Sequence, residues 1–584
     1  MPEELPTNAE IADRLQLLGD LLELEGAVRH RVLAYRRAAA RVRGTPESVA
    51  RMALEGRATD LPDIGGTLQA KIAELAETGE ISALAKARER VPEGLAAVAR
   101  LEGIGPKRAA ALWARLGVRD LDDLAAAVSD GRLTAVSGLG PATQARIAEQ
   151  LARRAEGDPQ EGRVPLGQAL PAAEVLAREL REAVPGARVE IAGSLRRGRE
   201  SAHDIDLVGT ADPPGALLAA LAQLPSVERV LSGGEARAAV QTHAGVRAEL
   251  AVGPAESFGN LLQHATGSAA HNVRLRELAV RRGLSVSEHG ITGPEGVAFH
   301  AEEEGVYAAL GLHPIPPELR EDAGEIEAAQ AGPLPELVSR ADLRGELHAH
   351  TIWSDGTESV AAMVEAARAR GYRYLAISDH SRSLAMAGGL DPDRVRRQWE
   401  EIAREDARRD DITVLRATEV DILADGRIDF DDELLAGFDW VTASIHSALT
   451  QDAERYTARV LAALESPFVD AIGHPTGRML GRRGHAPLDL DRVAEAAVRT
   501  GTLLEVNGQP RRLDLDSEMA RRALAVGARI VIGADAHSGD ALDLIRFGVL
   551  VARRAGARAP DVANTSDWPD LAAGRAARLA AAGA

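Results

Sequence analysis

Residues 345–356 read GELHAHTIWSDG: two histidines two apart and an aspartate five further on, directly behind a short apolar run. The pattern continues to the end of the chain. Short apolar runs alternate with helical periodicity, and most of them close on polar donors: YLAISDH (374–380), ITVLRATEVDI (412–422), WVTASIHS (440–447), VDAIGHPT (469–476), GTLLEVNG (501–508) and RIVIGADAHS (529–538). With the opening run this makes seven βα units, which predicts a barrel of parallel strands. In such a barrel chemistry sits at the face where strands end and loops begin.

The donors sort to that face. His348 and His350 end the first run, with Asp355 in the loop behind them, and His380 ends the second. Glu419 lies late in the third, while His446, His474 and the pair Asp535/His537 close the fourth, fifth and seventh. Of the seven histidines beyond residue 340 only His485 lies elsewhere. A single loop histidine is ordinarily just hydrogen-bonded. Nine imidazoles and carboxylates on one rim differ, because leaving them buried and unpaired costs several kcal/mol per charge. Metal ions remove that cost, and at about four ligands each, nine donors imply two or three ions. The chain has no cysteine, so every ligand is nitrogen or oxygen, which suits Zn²⁺, Mn²⁺ or Fe²⁺. The chemistry expected of such a centre is phosphoester hydrolysis.

The string ELHAHTIWSDG…ISDH…E…SIHS…GHP…DAH resembles the PHP domain, the polymerase and histidinol phosphatase superfamily, over about residues 342–560, with all nine ligand positions filled. The resemblance implies a distorted seven-stranded (β/α) barrel, here assigned to 341–575, a trinuclear metal centre, and 3′–5′ exonuclease and related 3′-end processing in its DNA-linked members.

Upstream, IAGSLRRGRESAHDIDLV (191–208) joins a Gly-Ser turn to arginines and an Asp-x-Asp. On a strand Asp204 and Asp206 face the same side and can share Mg²⁺ or Mn²⁺ with a triphosphate, while Gly193, Ser194 and Arg197 offer a turn and a charged fork to its phosphates. With GVRAELAVGPAESFGNLLQHATGSAAHNVRLRE (245–277), this stretch resembles a family X DNA polymerase over about 1–320. The resemblance makes Asp204 and Asp206 catalytic, carries the third carboxylate onto Glu249, and turns Gly267, Ser268 and Asn272 towards the incoming nucleotide. Glu249 is one methylene longer than the family's aspartate, His264 and Ala265 stand where aromatics are usual, and His203 replaces a small glycine. The α+β palm and thumb are expected at 172–320.

Residues 1–155 read as helical, with LPDIGG (61–66), LEGIGPKRA (101–109) and VSGLGPATQARI (136–147) repeating an apolar residue between or beside glycines. These fit helix-hairpin-helix modules that hold phosphates by backbone amides, with Gly65, Gly103, Gly105, Gly138, Gly140 and Lys107 against DNA. The resemblance divides the region into a lyase-like domain, 1–90, and fingers, 91–155, and makes Lys71 a candidate Schiff-base nucleophile. Arginine replaces lysine nearly everywhere else, and a guanidinium cannot serve as that amine.

Bulk properties agree. The net charge is −19, yet residues 1–155 hold 22 basic and 22 acidic residues, so the acidic excess lies downstream. No apolar run approaches the roughly 18 residues of a membrane span, and the acidic N-terminus is unlike a signal peptide, so a cytoplasmic monomer is expected. Its partners are expected to be gapped or nicked DNA and dNTPs. Two stretches, 155–171 and 323–340, read as linkers. The residues leave three alternatives: a nuclease whose middle domain only holds DNA, suggested by Glu249 and His264; a small-molecule phosphatase; and a non-catalytic scaffold.

Overall fold

The computed structural model describes residues 5–101, 103–155 and 162–583. The chain forms two compact units, Met1–Gly311 and Leu312–Ala584.

Among the described residues the first unit opens with nine α-helices between Asn8 and Ala155. Their apolar stripes, spaced three and four residues apart, close on one core that runs from Ile11 through Ile72 and Leu112 to Ile147. The following sheet has five strands: β1 (Arg188–Ile191), β2 (Asp204–Thr210), β3 (Val227–Gly233), β4 (Arg237–Thr242) and β5 (Arg247–Val252), in the order β1-β2-β5-β4-β3. Only β2 and β5 run parallel, and their register sets Asp206 opposite Glu249. A small antiparallel sheet follows, β6 (Ser285–Ser287), β7 (Gly290–Gly293) and β8 (Gly296–Ala298).

Neither expected linker is plain loop. Of the first, 156–161 lie outside the described residues, but Leu166–Ala183 is a helix that runs through Pro171. Its Leu166, Ala169, Ala173 and Leu176 are fully buried, and that stripe outweighs the lost proline donor. The second holds the helix Glu325–Ala331, with Ile326 and Ala329 buried at helical spacing. Val338 then donates its backbone N–H to Ala557 O at 2.9 Å, so this segment is packed into the second unit.

The second unit is a near-closed barrel of seven parallel strands in sequential order: β9 (Gly345–Ala349), β10 (Tyr374–Ile377), β11 (Thr413–Asp421), β12 (Trp440–Ser444), β13 (Ala471–Ile472), β14 (Leu503–Asn507) and β15 (Ile530–Gly533). The helices behind β9 to β14 start regularly, because Ser359, Asp391, Asp431, Asp452, Asp489 and Asp516 each accept the N–H three residues on. Apolar side chains fill the lower interior: Leu347, Tyr374, Leu415, Trp440, Leu503 and Val531 pack with Trp568 and Leu571 of the last helix. The β9–β10 pairing slips between Glu346 and Ala349. That slip lets Leu347 join the lower plug while His348 joins the ligand cluster above it.

The seam between β9 and β15 closes with help from two buried side chains. At the rim His350 donates its N–H to Ala536 O at 2.7 Å and Ala536 donates to His348 O at 3.1 Å. Below, the Glu346 carboxylate accepts from Ala534 N at 3.1 Å and His348 N at 2.8 Å. At the base Asn564 donates to Gly345 O (3.1 Å) and Ile532 O (2.8 Å) and accepts from Ile532 N (3.2 Å).

Candidate functional site

All nine predicted ligands converge at the upper rim of the barrel. Glu419 is the hub: its carboxylate lies 2.8 Å from His380 and from His474, 3.3 Å from His446, 3.5 Å from His348 and 3.7 Å from His350. Asp535 lies 3.3 Å from His350, and Asp355 lies 3.5 Å from His380 and 3.4 Å from His537. Three groups have atoms close enough to grip one ion each: His348, His350 and Asp535; His350, Asp355, His380 and His537; and His380, Glu419 and His446. Six strands or their loops supply these ligands.

The donor set fits divalent metal. His348 Nε2, both nitrogens of His350, His380 Nδ1, both oxygens of Glu419 and His474 Nδ1 are buried and make no hydrogen bond. Such atoms occur together only where another partner takes them. Burial, helped by the charges of His380 and His537, pushes His350 down to about 3, so its ring is a neutral donor. Despite their burial, the surrounding imidazoles hold Glu419 and Asp535 well below the usual carboxylate range. Two of the predicted ligands, His474 (φ 27°) and Asp535 (φ 50°), sit in left-handed backbone, a cost that functional sites commonly carry.

A supporting ring orients the ligands. Glu505 meets His348 Nδ1 at 2.6 Å and accepts the His474 N–H at 2.6 Å. Asp421 meets His446 Nδ1 at 2.9 Å, and the carbonyl of Asp535 meets His537 Nδ1 at 2.9 Å. These bonds hold a proton at Nδ1 and leave Nε2 for an ion. Sequence reading missed Glu505, although its strand, GTLLEVNG, is the one barrel run that brings no ligand.

In the first unit the carboxylates of Asp204, Asp206 and Glu249 also assemble. Burial, with the neighbouring charges of Asp204 and Glu249, pushes Asp206 up to about 6. The cluster is thus short of positive charge, as a divalent-metal site should be. Gly193 is required there: a Cβ at that position would stand 1.8 Å from Asp206 Oδ2. The longer Glu249 is held by Arg237 at 3.2 Å and Arg247 at 3.5 Å. Arg237 also reaches Glu288 (3.5 Å), which meets His264 at 3.3 Å. Ala265 packs on the apolar cluster of Phe258 and Leu261, and His203 is exposed.

Ser194 lies half-buried in the short helix Gly193–Arg196 behind β1, where a turn was expected, and Arg197 donates to Thr266 O at 2.5 Å beside Gly267 and Ser268. Ser268 caps the helix Ala269–Arg281. Asn272 points inwards, donating to His264 O and accepting from Gln263, both at 2.9 Å. Arg196, not singled out from sequence, forks onto Glu303 at 2.9 and 2.5 Å.

Of the hairpin residues, Gly103 (φ 90°), Gly105 (φ 68°) and Gly138 (φ 83°) occupy left-handed backbone. Gly65 caps the helix Gly66–Thr78 in extended backbone, and Gly140 precedes the helix Pro141–Ala155. Lys107 is exposed in the first turn of its helix, and Lys71 is half-buried on the helix behind the first hairpin.

These features define a class: an enzyme that joins a nucleotidyltransferase palm and helix-hairpin-helix modules to a metal-dependent phosphoesterase barrel. A helix-hairpin-helix domain model matches residues 6–81, a SAM-like helix-hairpin-helix tandem 95–153, a DNA polymerase beta thumb 261–321 and a PHP domain 346–508. The chain is 35% identical over 570 residues, 97% of its length and 98% of the other's, to the DNA polymerase/3′-5′ exonuclease PolX of Bacillus subtilis. It belongs to that family, the family X DNA polymerases with a PHP domain. Over 218 residues, 33% of this chain and 75% of the relative, it is also 30% identical to a probable phosphatase of Caldanaerobacter subterraneus. A probable phosphatase of Acetivibrio thermocellus is 31% identical over 201 residues, 33% of this chain and 78% of the relative. The enzyme thus works on DNA with divalent metals. Among the described residues no helix is long and apolar enough to cross a membrane.

Proposed function

We propose that the palm fills short gaps in DNA by template-directed transfer from dNTPs and that the barrel trims and cleans 3′ ends as a 3′–5′ exonuclease and phosphoesterase. The observation that carries the barrel reading is the set of buried imidazole and carboxylate atoms around Glu419 without hydrogen bonds. Divalent ions held there, Zn²⁺, Mn²⁺ or Fe²⁺, would supply Lewis-acid charge for phosphoryl displacement. The chain's own work is to fix their ligands: Glu505, Asp421 and the Asp535 carbonyl hold protons on the far ring nitrogens.

In the palm, Asp204, Asp206 and Glu249 would hold Mg²⁺ or Mn²⁺, and Gly193, Ser194 and Arg197 would receive the triphosphate. Gly267, Ser268 and Asn272 would border the nucleotide, Asn272 by shaping the turn from behind. The hairpin glycines and Lys107 would hold the DNA backbone, with 1–90 as a lyase-like domain, 91–155 as fingers, 172–320 as palm and thumb, and 341–575 as the phosphoesterase. Gapped or nicked duplex is the preferred substrate, and the protein works as a cytoplasmic monomer.

A labelled gapped duplex with dNTPs and Mn²⁺ or Mg²⁺ tests both sites. Asp204→Ala is expected to abolish lengthening and keep shortening, and His348→Ala the reverse; shortening that survives His348→Ala in metal-replete protein refutes the barrel assignment. Lys71 is proposed as the lyase nucleophile on an abasic 5′ end. Borohydride should trap it on an incised abasic duplex, and equal trapping by Lys71→Ala removes that role.

A further inference from the structure

Asp535 presents its two carboxylate oxygens differently. Oδ1 faces the imidazoles, 3.3 Å from His350 and 3.8 Å from His348. Oδ2 accepts from Asn507 Nδ2 at 3.1 Å, and the guanidinium of Arg512 stands 3.7 Å from it. That is an ion pair, but too long for a hydrogen bond. A guanidinium offers five donors, yet among the described residues the Arg512 side chain has no hydrogen-bond partner, and only 21% of its surface is exposed. Asp514 also feels its charge, but that buried carboxylate accepts from Thr476 N at 3.1 Å.

A stiff loop places Arg512 there. GQPRRLDLD (508–516) leaves β14 with Gly508 donating its N–H to Gly533 O at 2.7 Å. Gln509 donates through Nε2 to the backbone oxygen of Asp535 at 2.8 Å, and its own carbonyl accepts the Arg512 N–H at 2.8 Å. The return is pinned by Asn507, which donates its N–H to Asp514 O at 2.6 Å. Leu513, fully buried, sits in left-handed backbone (φ 49°). A leucine keeps that conformation only where its surroundings over-determine it. The loop thus grips Asp535 through Gln509 and sets Arg512 against the same residue.

An ion held at Oδ1 takes up much of the charge of Asp535 and leaves the guanidinium beside a cation. An anion lying between the two satisfies both. We propose that Arg512 is a further catalytic residue of the barrel, its guanidinium fork holding a non-bridging oxygen of the phosphate that is cut. This rests on the 3′-end hydrolysis reading above. In that hydrolysis a water oxygen bonds to phosphorus, the P–O ester bond breaks and the leaving oxygen takes up a proton. Charge is spread over the non-bridging oxygens in the transition state. Arg512 meets that charge without giving up a proton of its own, and its planar fork matches phosphate geometry.

Inorganic phosphate is the probe, its binding to full-length, metal-loaded protein followed by calorimetry beside the shortening of a labelled single strand. Arg512→Met is expected to keep its metal content and to bind phosphate about tenfold more weakly. Its kcat/KM for shortening should fall about 100-fold. Arg404→Met, which removes an exposed arginine from the helix Pro392–Asp406, should change none of these. Should Arg512→Met lose metal, Arg512→Lys, which keeps a charge beside Asp535 without the fork, is expected to hold its metal and bind phosphate as weakly. Loss of metal in both variants would make Arg512 a prop for Asp535 and overturn the assignment. Unchanged phosphate binding in a variant that keeps its metal also overturns it and leaves the hydrolysis reading standing. Phosphate binding that depends on Arg512, without cleavage of any strand, supports it and overturns the hydrolysis reading.

Discussion

Glu505 shows how much one side chain outside the ligand set decides. Its two oxygens take His348 Nδ1 and the His474 N–H, both at 2.6 Å, so it fixes two ligands at once. Glu505→Gln keeps the shape but loses the charge that holds the His348 proton. Metal affinity is expected to fall 10- to 100-fold, measured by competition with a chromogenic chelator; unchanged affinity would show that the ligands orient themselves. The nine candidate ligands stand out in the sequence because each lies late in an apolar run or just behind it, a pattern that barrel geometry imposes on catalytic residues. Glu505 was not: it stands two residues before the end of β14, as Glu419 does on β11, and only the closed barrel turns it towards two histidines from other strands. In the palm, strand alternation put Asp204 and Asp206 on one face, the family resemblance supplied Glu249, and only the sheet register sets Glu249 opposite Asp206. The Arg237 and Arg247 side chains that accommodate the longer Glu249 follow from sheet order, which sequence does not state.

At the scale of elements, the barrel seam depends on Asn564, a fully buried residue outside the strands it joins. Its amide satisfies the Gly345 and Ile532 carbonyls and the Ile532 N–H. Asn564→Leu leaves all three without that partner, and buried backbone groups without hydrogen bonds cost about 1–3 kcal/mol each. A loss of about 3 kcal/mol is expected in the unfolding of the barrel unit, read as a lower urea midpoint with an unchanged slope; a shift below about 0.5 kcal/mol would mean that water replaces the amide. The seven strands were legible as apolar runs with turn signals. The two linkers were misjudged because Gly, Pro and polar residues mask short helical stripes, Leu166/Ala169/Ala173 and Ile326/Ala329. The β9 slip was also invisible, since alternation in GELHA alone assigns Leu347 and His348 to opposite faces.

Across the whole molecule, acidic charge gathers downstream of residue 155 while the hairpin region stays balanced, which fits backbone amides rather than a basic patch as the grip on DNA. The candidate ligands in turn come from six of the seven strands or their loops, and the two in left-handed backbone, His474 and Asp535, follow β13 and β15. Divalent ions held by these residues would tie strands together, and occupancy would stabilise the fold by about 4 kcal/mol at a free concentration 1,000 times the dissociation constant. Chelation should therefore lower the melting temperature of the barrel and leave that of the hairpin and palm unit in place; equal loss in both would refute the link. The centre is also a drawstring. Pulled tight it keeps the upper mouth of the barrel from fraying, and with it slackened a protease should nick the upper loops long before it reaches the greasy stopper beneath.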